Sequence, residues 1–174
     1  MKKMMILVLM VVLLSMNYTG EVAASDIEVQ TVTDETDSYV VENITNSAGK
    51  KFELSYPEDV IFENCEECLL AKLAEYEGGT AEEKKLIMQT ISSRKYNDEY
   101  PDDLKSIITM KGEMCFFAKT WNSINPSAET LEMAKDVLNS GVCSDYTRYT
   151  FKSYAWLFKV DESKSLTTEH YVFF

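Results

Sequence analysis

Cys68-Leu69-Leu70-Ala71-Lys72-Leu73-Ala74-Glu75-Tyr76-Glu77-Gly78-Gly79-Thr80 is the stretch on which the reading of this chain turns. Leu69, Leu70 and Leu73 lie at helical spacings, and Leu70, Leu73 and Glu77 stand at i, i+3 and i+7 on one face. Gly78 and Gly79 end the helix, because glycine accepts the left-handed backbone of a helix exit without a side-chain clash. Glu77 thus extends an apolar row at a helix end, beside flexible backbone. A carboxyl so placed is expected to be partly desolvated, which favours its neutral form and raises its pKa. That is the property a general acid needs near neutral pH. An isolated glutamate at a helix end also reads as an ordinary surface residue, so support must come from elsewhere in the chain.

Moving outward, Thr80-Ala81-Glu82-Glu83 has the form of a capping box and opens a second helix to about Arg94, with Leu86, Ile87, Thr90 and Ile91 inward. Tyr100-Pro101-Asp102-Asp103-Leu104 predicts a short helix with Pro101 in its first turn and Ile107, Ile108 and Met110 as its apolar side. Lys111 to Phe117 reads as a loop. Asn125-Pro126 form an N-cap and first-position pair for a helix carrying Leu131, Ala134, Val137 and Leu138, which closes at Gly141. Beyond it the texture turns aromatic. Tyr146, Tyr149, Phe151, Tyr154, Trp156 and Phe158 favour strand, with Tyr154, Trp156 and Phe158 alternating on one face. His170-Tyr171-Val172-Phe173-Phe174 predicts a closing strand. The fold class that follows is α+β: a mainly helical domain over residues 61–174 with a small antiparallel C-terminal sheet.

Upstream, Met1-Lys2-Lys3 and the apolar run from Met4 to Leu14 predict a secretory signal with a cut after Ala24, the run being too short for a membrane span. An uncleaved N-terminal anchor is the alternative. The expected address is outside the cell or in its envelope, with no stable membrane insertion after cleavage. Residues 25–60 read as an acidic, flexible lead-in, with a short strand at Lys51-Phe52-Glu53-Leu54-Ser55-Tyr56 stopped by Pro57.

The full chain has 17 basic and 29 acidic residues; without Lys2, Lys3 and Glu21 it keeps 15 and 28, a net charge of −13. Such a chain has no electrostatic reason to bind nucleic acid, and anionic polymers are repelled at long range unless cations screen them. Cys65, Cys68, Cys115 and Cys143 form an even set, as secreted disulfides do. Three pairings are possible; Cys65–Cys68 with Cys115–Cys143 is preferred, and a zinc site is the rival. The Cys115-to-Cys143 gap fits no common zinc-finger spacing, and no βαβ pattern surrounds Cys65-Glu66-Glu67-Cys68 to make it a redox motif.

Several of these pieces together resemble the SleB-type cell wall hydrolases, the bacterial spore-cortex-lytic family. Leu69 to Gly79 is similar to that family's opening helix, which ends in a catalytic Glu followed by small residues. Ile91-Ser92-Ser93-Arg94 stands where the family has an apolar residue and Asn-Arg. Tyr100-Pro101-Asp102-Asp103-Leu104 is similar to its aromatic-Pro-Asp segment, and Gly112-Glu113-Met114 replaces a Gly-Gln-Phe loop. Pro126 to Leu138 resembles its Pro-started helix, and His170 to Phe174 its closing aromatic strand. The likeness covers roughly Cys68 to Phe174. Counted back from Arg94 without a gap, the catalytic position falls on Glu75; matched forward from Leu69, it falls on Glu77.

The resemblance implies a lysozyme-like domain that cuts the β-1,4 bond between N-acetylmuramic acid and N-acetylglucosamine in peptidoglycan. A conventional glycosidase needs two carboxyls around the bond, whereas a lytic transglycosylase manages with one, which suits a chain offering one well-placed Glu. Glu113 is the loop carboxylate nominated as a second. Tyr76, Trp121, Tyr146 and Tyr149 are candidates for stacking on sugar rings, and His170, the sole histidine, for a substrate contact. No cofactor or metal is implied. The expected partner is a peptidoglycan strand, met by a monomer. A non-catalytic peptidoglycan-binding or envelope protein is the alternative, favoured by Glu113, Ser93 and a shortened aromatic region in place of the family's residues.

Overall fold

The computed structural model describes residues 29–34, 37–111, 120–141 and 144–174. Helix α1 (Glu66–Glu77) lies among three others, α2 (Ala81–Arg94), α3 (Leu104–Thr109) and α4 (Ala128–Ser140). Leu69, Leu70, Ala71, Leu73 and Ala74 are all buried, so its central turns are wrapped rather than merely amphipathic. They pack with Ile91, Leu104, Ile107, Trp121, Ala134 and Val137 in the main core. The Cys65–Cys68 disulfide ties the entry of α1; Cys115 and Cys143 lie outside the described residues.

The capping box at Thr80 forms in full: Glu83 N donates to the Thr80 hydroxyl, and Thr80 N donates to the Glu83 carboxylate. Two helix starts differ from the sequence reading. Helix α3 begins at Leu104, not at Pro101, because the Asp103 carboxylate accepts from Ser106 N at 2.9 Å and so caps the helix. Helix α4 begins at Ala128, because Ser127 accepts from Thr130 N at 3.1 Å; Asn125 turns back to Ser123 O instead of capping. Gly141, at φ +60°, takes the left-handed exit.

The flexible lead-in is corrected by an antiparallel sheet of β1 (Val29–Asp34), β2 (Asp37–Thr45) and β3 (Lys51–Pro57), in that order. The strand at Lys51 to Tyr56 is present, and it carries Leu54 and Tyr56 into buried positions. Polar composition hid this because the hairpin is held from its tip. Asn46, only 6% exposed, donates to Asp98 O and Tyr100 O, each at 2.8 Å, and accepts from Lys50 N at 2.8 Å. Replacing Asn46 with Ala should cost about 2 kcal/mol, since it deletes three bonds and takes the donor from the buried contact with Tyr100 O. Hydrogen exchange should show the β2–β3 hairpin opening before the helices.

The second sheet is antiparallel, with β6 (Tyr171–Phe173) central between β4 (Tyr149–Phe151) and β5 (Leu166–Thr167). The aromatic strand expected through Tyr154, Trp156 and Phe158 is instead a 3₁₀ segment, Lys152–Leu157. The ladder ends where Lys152 N donates to His170 O at 2.7 Å; beyond that point β6 offers no backbone to pair with. The aromatic face forms across strands instead. Tyr149 opposes Phe173, and Phe151 opposes Tyr171, with ring centroids 5.9 and 4.8 Å apart. Tyr171 and Phe173 pack with Ile87 in a second buried cluster, which joins this sheet to α2. The fold is therefore α+β. No helix among the described residues is long and apolar enough to cross a membrane.

Candidate active site

Glu77 ends α1, half-buried, and points toward the aromatic face of the C-terminal sheet. The Tyr149 hydroxyl donates to its Oε1 at 3.2 Å. The Tyr171 hydroxyl is 2.5 Å from the Glu77 backbone carbonyl and 3.2 Å from Oε2. A phenol has one proton and two lone pairs. The Tyr171 hydroxyl donates chiefly across the shorter contact; at the longer one it shares that proton with an ionised Oε2 or accepts from a protonated one. Burial, with Glu77 beside it, pushes the Tyr171 hydroxyl well above its usual range, so it remains a neutral phenol. The pair of tyrosines therefore accommodates a protonated Glu77 without loss of a contact: Oε1 accepts and Oε2–H donates. Gly78 and Gly79, at φ +72° and +84°, carry the chain away from the carboxyl in conformations other residues rarely adopt.

Several packed elements hold the two tyrosines. Arg94 is buried at the end of α2, donates from Nε to Thr147 O at 2.8 Å, and lies 4.9 Å from the Tyr100 ring. Ser144 N donates to Ser93 Oγ at 2.6 Å. These contacts dock residues 144–147 on α2 and so set the approach to Tyr149.

Glu75 is turned elsewhere. Its Oε2 accepts from Thr130 Oγ1 at 2.7 Å and from Lys84 Nζ at 3.1 Å, bracing α1 against α4 and α2. The Thr130 hydrogen bond lowers its pKa; partial burial opposes this, and Lys84 adds to the lowering. An ionised, ion-paired carboxylate is a poor proton donor, which disfavours the ungapped register.

Of the other candidates, Tyr149 reaches Glu77 through its hydroxyl. Trp121 is corrected: it is fully buried, packed near Phe62 with Lys72 over its ring, and offers no face to a sugar. Tyr146 packs on Phe173 and Tyr76 on the main core, both half-buried. Glu113 lies outside the described residues.

Behind the turn after Glu77 stands a second carboxylate. Glu83 is 1% exposed. Its Oε1 accepts from the Thr168 hydroxyl at 2.6 Å and His170 N at 2.8 Å; its Oε2 contacts Thr80 N at 2.9 Å and His170 Nδ1 at 3.0 Å. Burial alone would raise its pKa, but the bonds from Thr168, Thr80 and His170 outweigh it and hold the group down at about 2. The hydrogen bond to Glu83 raises the pKa of His170, whose ring is otherwise half-exposed. His170 is thus tied to the frame of the site rather than to Glu77. The capping box marked Glu83 in the sequence, but only the distant Thr168 and His170 make it a buried junction.

Residues not singled out as a surface line the far side. Phe151 stacks on Tyr171 yet is 43% exposed, and Tyr154, edge-on to Phe151, is 48% exposed. A groove of about 450 Å³ beside Phe158, Val160 and Val172 lies on the opposite sheet face, since Val172 alternates with Tyr171. Among the described residues no group of three His, Cys, Asp or Glu side chains is placed to hold a metal ion. No protein-family model, curated protein or solved structure matches this chain.

Proposed function

We propose that the protein is a secreted peptidoglycan-cleaving enzyme of the lytic transglycosylase type, with Glu77 as its general acid and base. The observation that carries this reading is the pair of phenols on the Glu77 carboxyl, Tyr149 at Oε1 and Tyr171 at Oε2, which suits a carboxyl that gains and loses a proton. Glu77 protonates the glycosidic oxygen as the bond to C1 of the muramyl sugar breaks. The resulting carboxylate then takes the proton of the muramyl 6-hydroxyl as that oxygen closes on C1. The product is a 1,6-anhydro sugar, no water is consumed, and the proton is back on Glu77. One carboxyl serves both steps, so this chemistry needs no second one.

Purified peptidoglycan incubated with the protein should release anhydro-muropeptides, detected by mass spectrometry. Reducing-end products without the anhydro mass would change the class to a hydrolase. A digest indistinguishable from one without protein would leave the wall-binding, non-catalytic alternative.

A further inference from the structure

We propose that the exposed rings of Phe151 and Tyr154 form a stacking subsite for a pyranose ring of an acidic glycan, beside the ring attacked at Glu77; the proposal rests on the glycan-cleaving reading above. The two rings continue the aromatic face outward from the carboxyl. The Tyr171 hydroxyl touches Glu77, Phe151 stacks on the Tyr171 ring at 4.8 Å with planes 28° apart, and Tyr154 meets Phe151 edge-on at 6.5 Å. The inner face of Phe151 is covered by Tyr171, so its outer face is the one left to solvent. An exposed aromatic face matches the axial C–H surface of a pyranose, and the Tyr154 hydroxyl can bond a ring substituent.

Charge selects the kind of glycan. The chain as a whole is −12, yet residues 146–160 hold Arg148, Lys152 and Lys159 and no Asp or Glu. All three basic residues are exposed. Lys152 adjoins Phe151 and its backbone pairs with His170 O, so it stands at the rim of the platform, with Glu169 and His170 across the ladder. Three basic residues in this stretch outnumber the one acid, Glu169, across the ladder; on an acidic protein that local excess fits a sugar strand bearing carboxylates, and offsets the repulsion that the rest of the surface exerts on one.

The test measures co-sedimentation with purified peptidoglycan in a Glu77→Gln background, so that substrate is not consumed. Phe151→Ala and Tyr154→Ala should each weaken binding about tenfold, while Phe151→Tyr should keep it. Lys152→Glu should weaken binding at low salt and much less at 0.5 M salt, about where screening removes it. Binding of a neutral N-acetylglucosamine oligomer should fall with Phe151→Ala and be unmoved by Lys152→Glu. Matching melting curves and near-ultraviolet spectra separate a lost platform from a lost fold. If the Glu77→Gln parent sediments and Phe151→Ala and Tyr154→Ala sediment equally well, the subsite is wrong and the glycan reading stands. If the parent does not sediment and the wild type releases no muropeptide, both are wrong.

Discussion

Glu77→Gln should cut anhydro-muropeptide release by about a thousandfold, within the 10²- to 10⁴-fold range that general acid–base groups contribute. The amide keeps the size of the side chain and one acceptor for the Tyr149 hydroxyl, so the fold should survive. It has no transferable proton, and in the proposed mechanism both the departure of the leaving sugar and closure of the anhydro ring use the same group. Glu75→Gln should leave turnover within a few-fold, because Glu75 already serves as a brace to Thr130 and Lys84. Its cost should appear in stability instead. Tyr171→Phe separates positioning from chemistry. Removing that hydroxyl deletes the 2.5 Å bond to the Glu77 carbonyl and the 3.2 Å contact with Oε2. The rate should fall and the alkaline limb of the pH–rate profile should move to lower pH, because protonated Glu77 loses a phenol that can accept from it and gives up its proton more readily; a purely structural role would lower the rate without moving that limb. Steady-state release from a soluble glycan fragment across pH 4 to 8 reads both effects. Full activity in Glu77→Gln, or loss confined to Glu75→Gln, would transfer the acid role and remove the basis for the tyrosine argument.

The parts of this fold legible in the sequence are those set by local chemistry. The Leu70–Leu73–Glu77 row, the Gly78–Gly79 stop, the Thr80–Glu83 box and the Gly141 exit each follow from backbone preferences within a few residues, and each is where periodicity puts it. The misreadings share a different cause. Pro101 and Pro126 are good first-turn residues, but Asp103 and Ser127 downstream make the capping bonds that start the helices. Residues 37–47 look too polar to order, yet Asn46 docks on carbonyls more than fifty positions away. Tyr154, Trp156 and Phe158 alternate as a strand does, but pairing depends on the length of β6, which no local pattern encodes. Trp121 is a reasonable sugar platform by residue type and a core residue by position. At the candidate site, Glu77 is legible because its neighbours are sequential; the contacts of Tyr171 with Glu77 and of Glu83 with His170 are not, because they span 94 and 87 residues.

Glu83→Ala should destabilise the protein by about 3 kcal/mol, although Glu83 has no part in the proposed chemistry. The substitution removes the acceptor for two backbone N–H groups, Thr80 and His170, and for the Thr168 hydroxyl, at a position 1% exposed. It also unties the first turn of α2 from the strand that carries Tyr171. The pH dependence identifies the cause. Glu83 titrates at about 2 in the folded protein against an ordinary 4.5, so the unfolded chain binds its proton more tightly. Its contribution is therefore complete above about pH 4.5 and is lost as pH falls toward 2. His170 is shifted the other way, above its ordinary 6.5, so its contribution is complete below that value and fades as pH rises through the folded pKa. Urea unfolding of the wild type should lose stability on both sides of a mildly acidic optimum. The Glu83→Ala variant should be flatter on both limbs, because its His170 no longer has the carboxylate that raised it. Gly79→Ala probes the same junction from the backbone. A Cβ there would come 2.5 Å from Glu83 Oε2 in a chain held at φ +84°, so this small addition should destabilise too, and the penalty should shrink when Glu83 is already alanine. Additive losses in the double variant would mean the two residues act independently, and an unchanged acid limb in Glu83→Ala would assign the low-pH loss to other carboxylates.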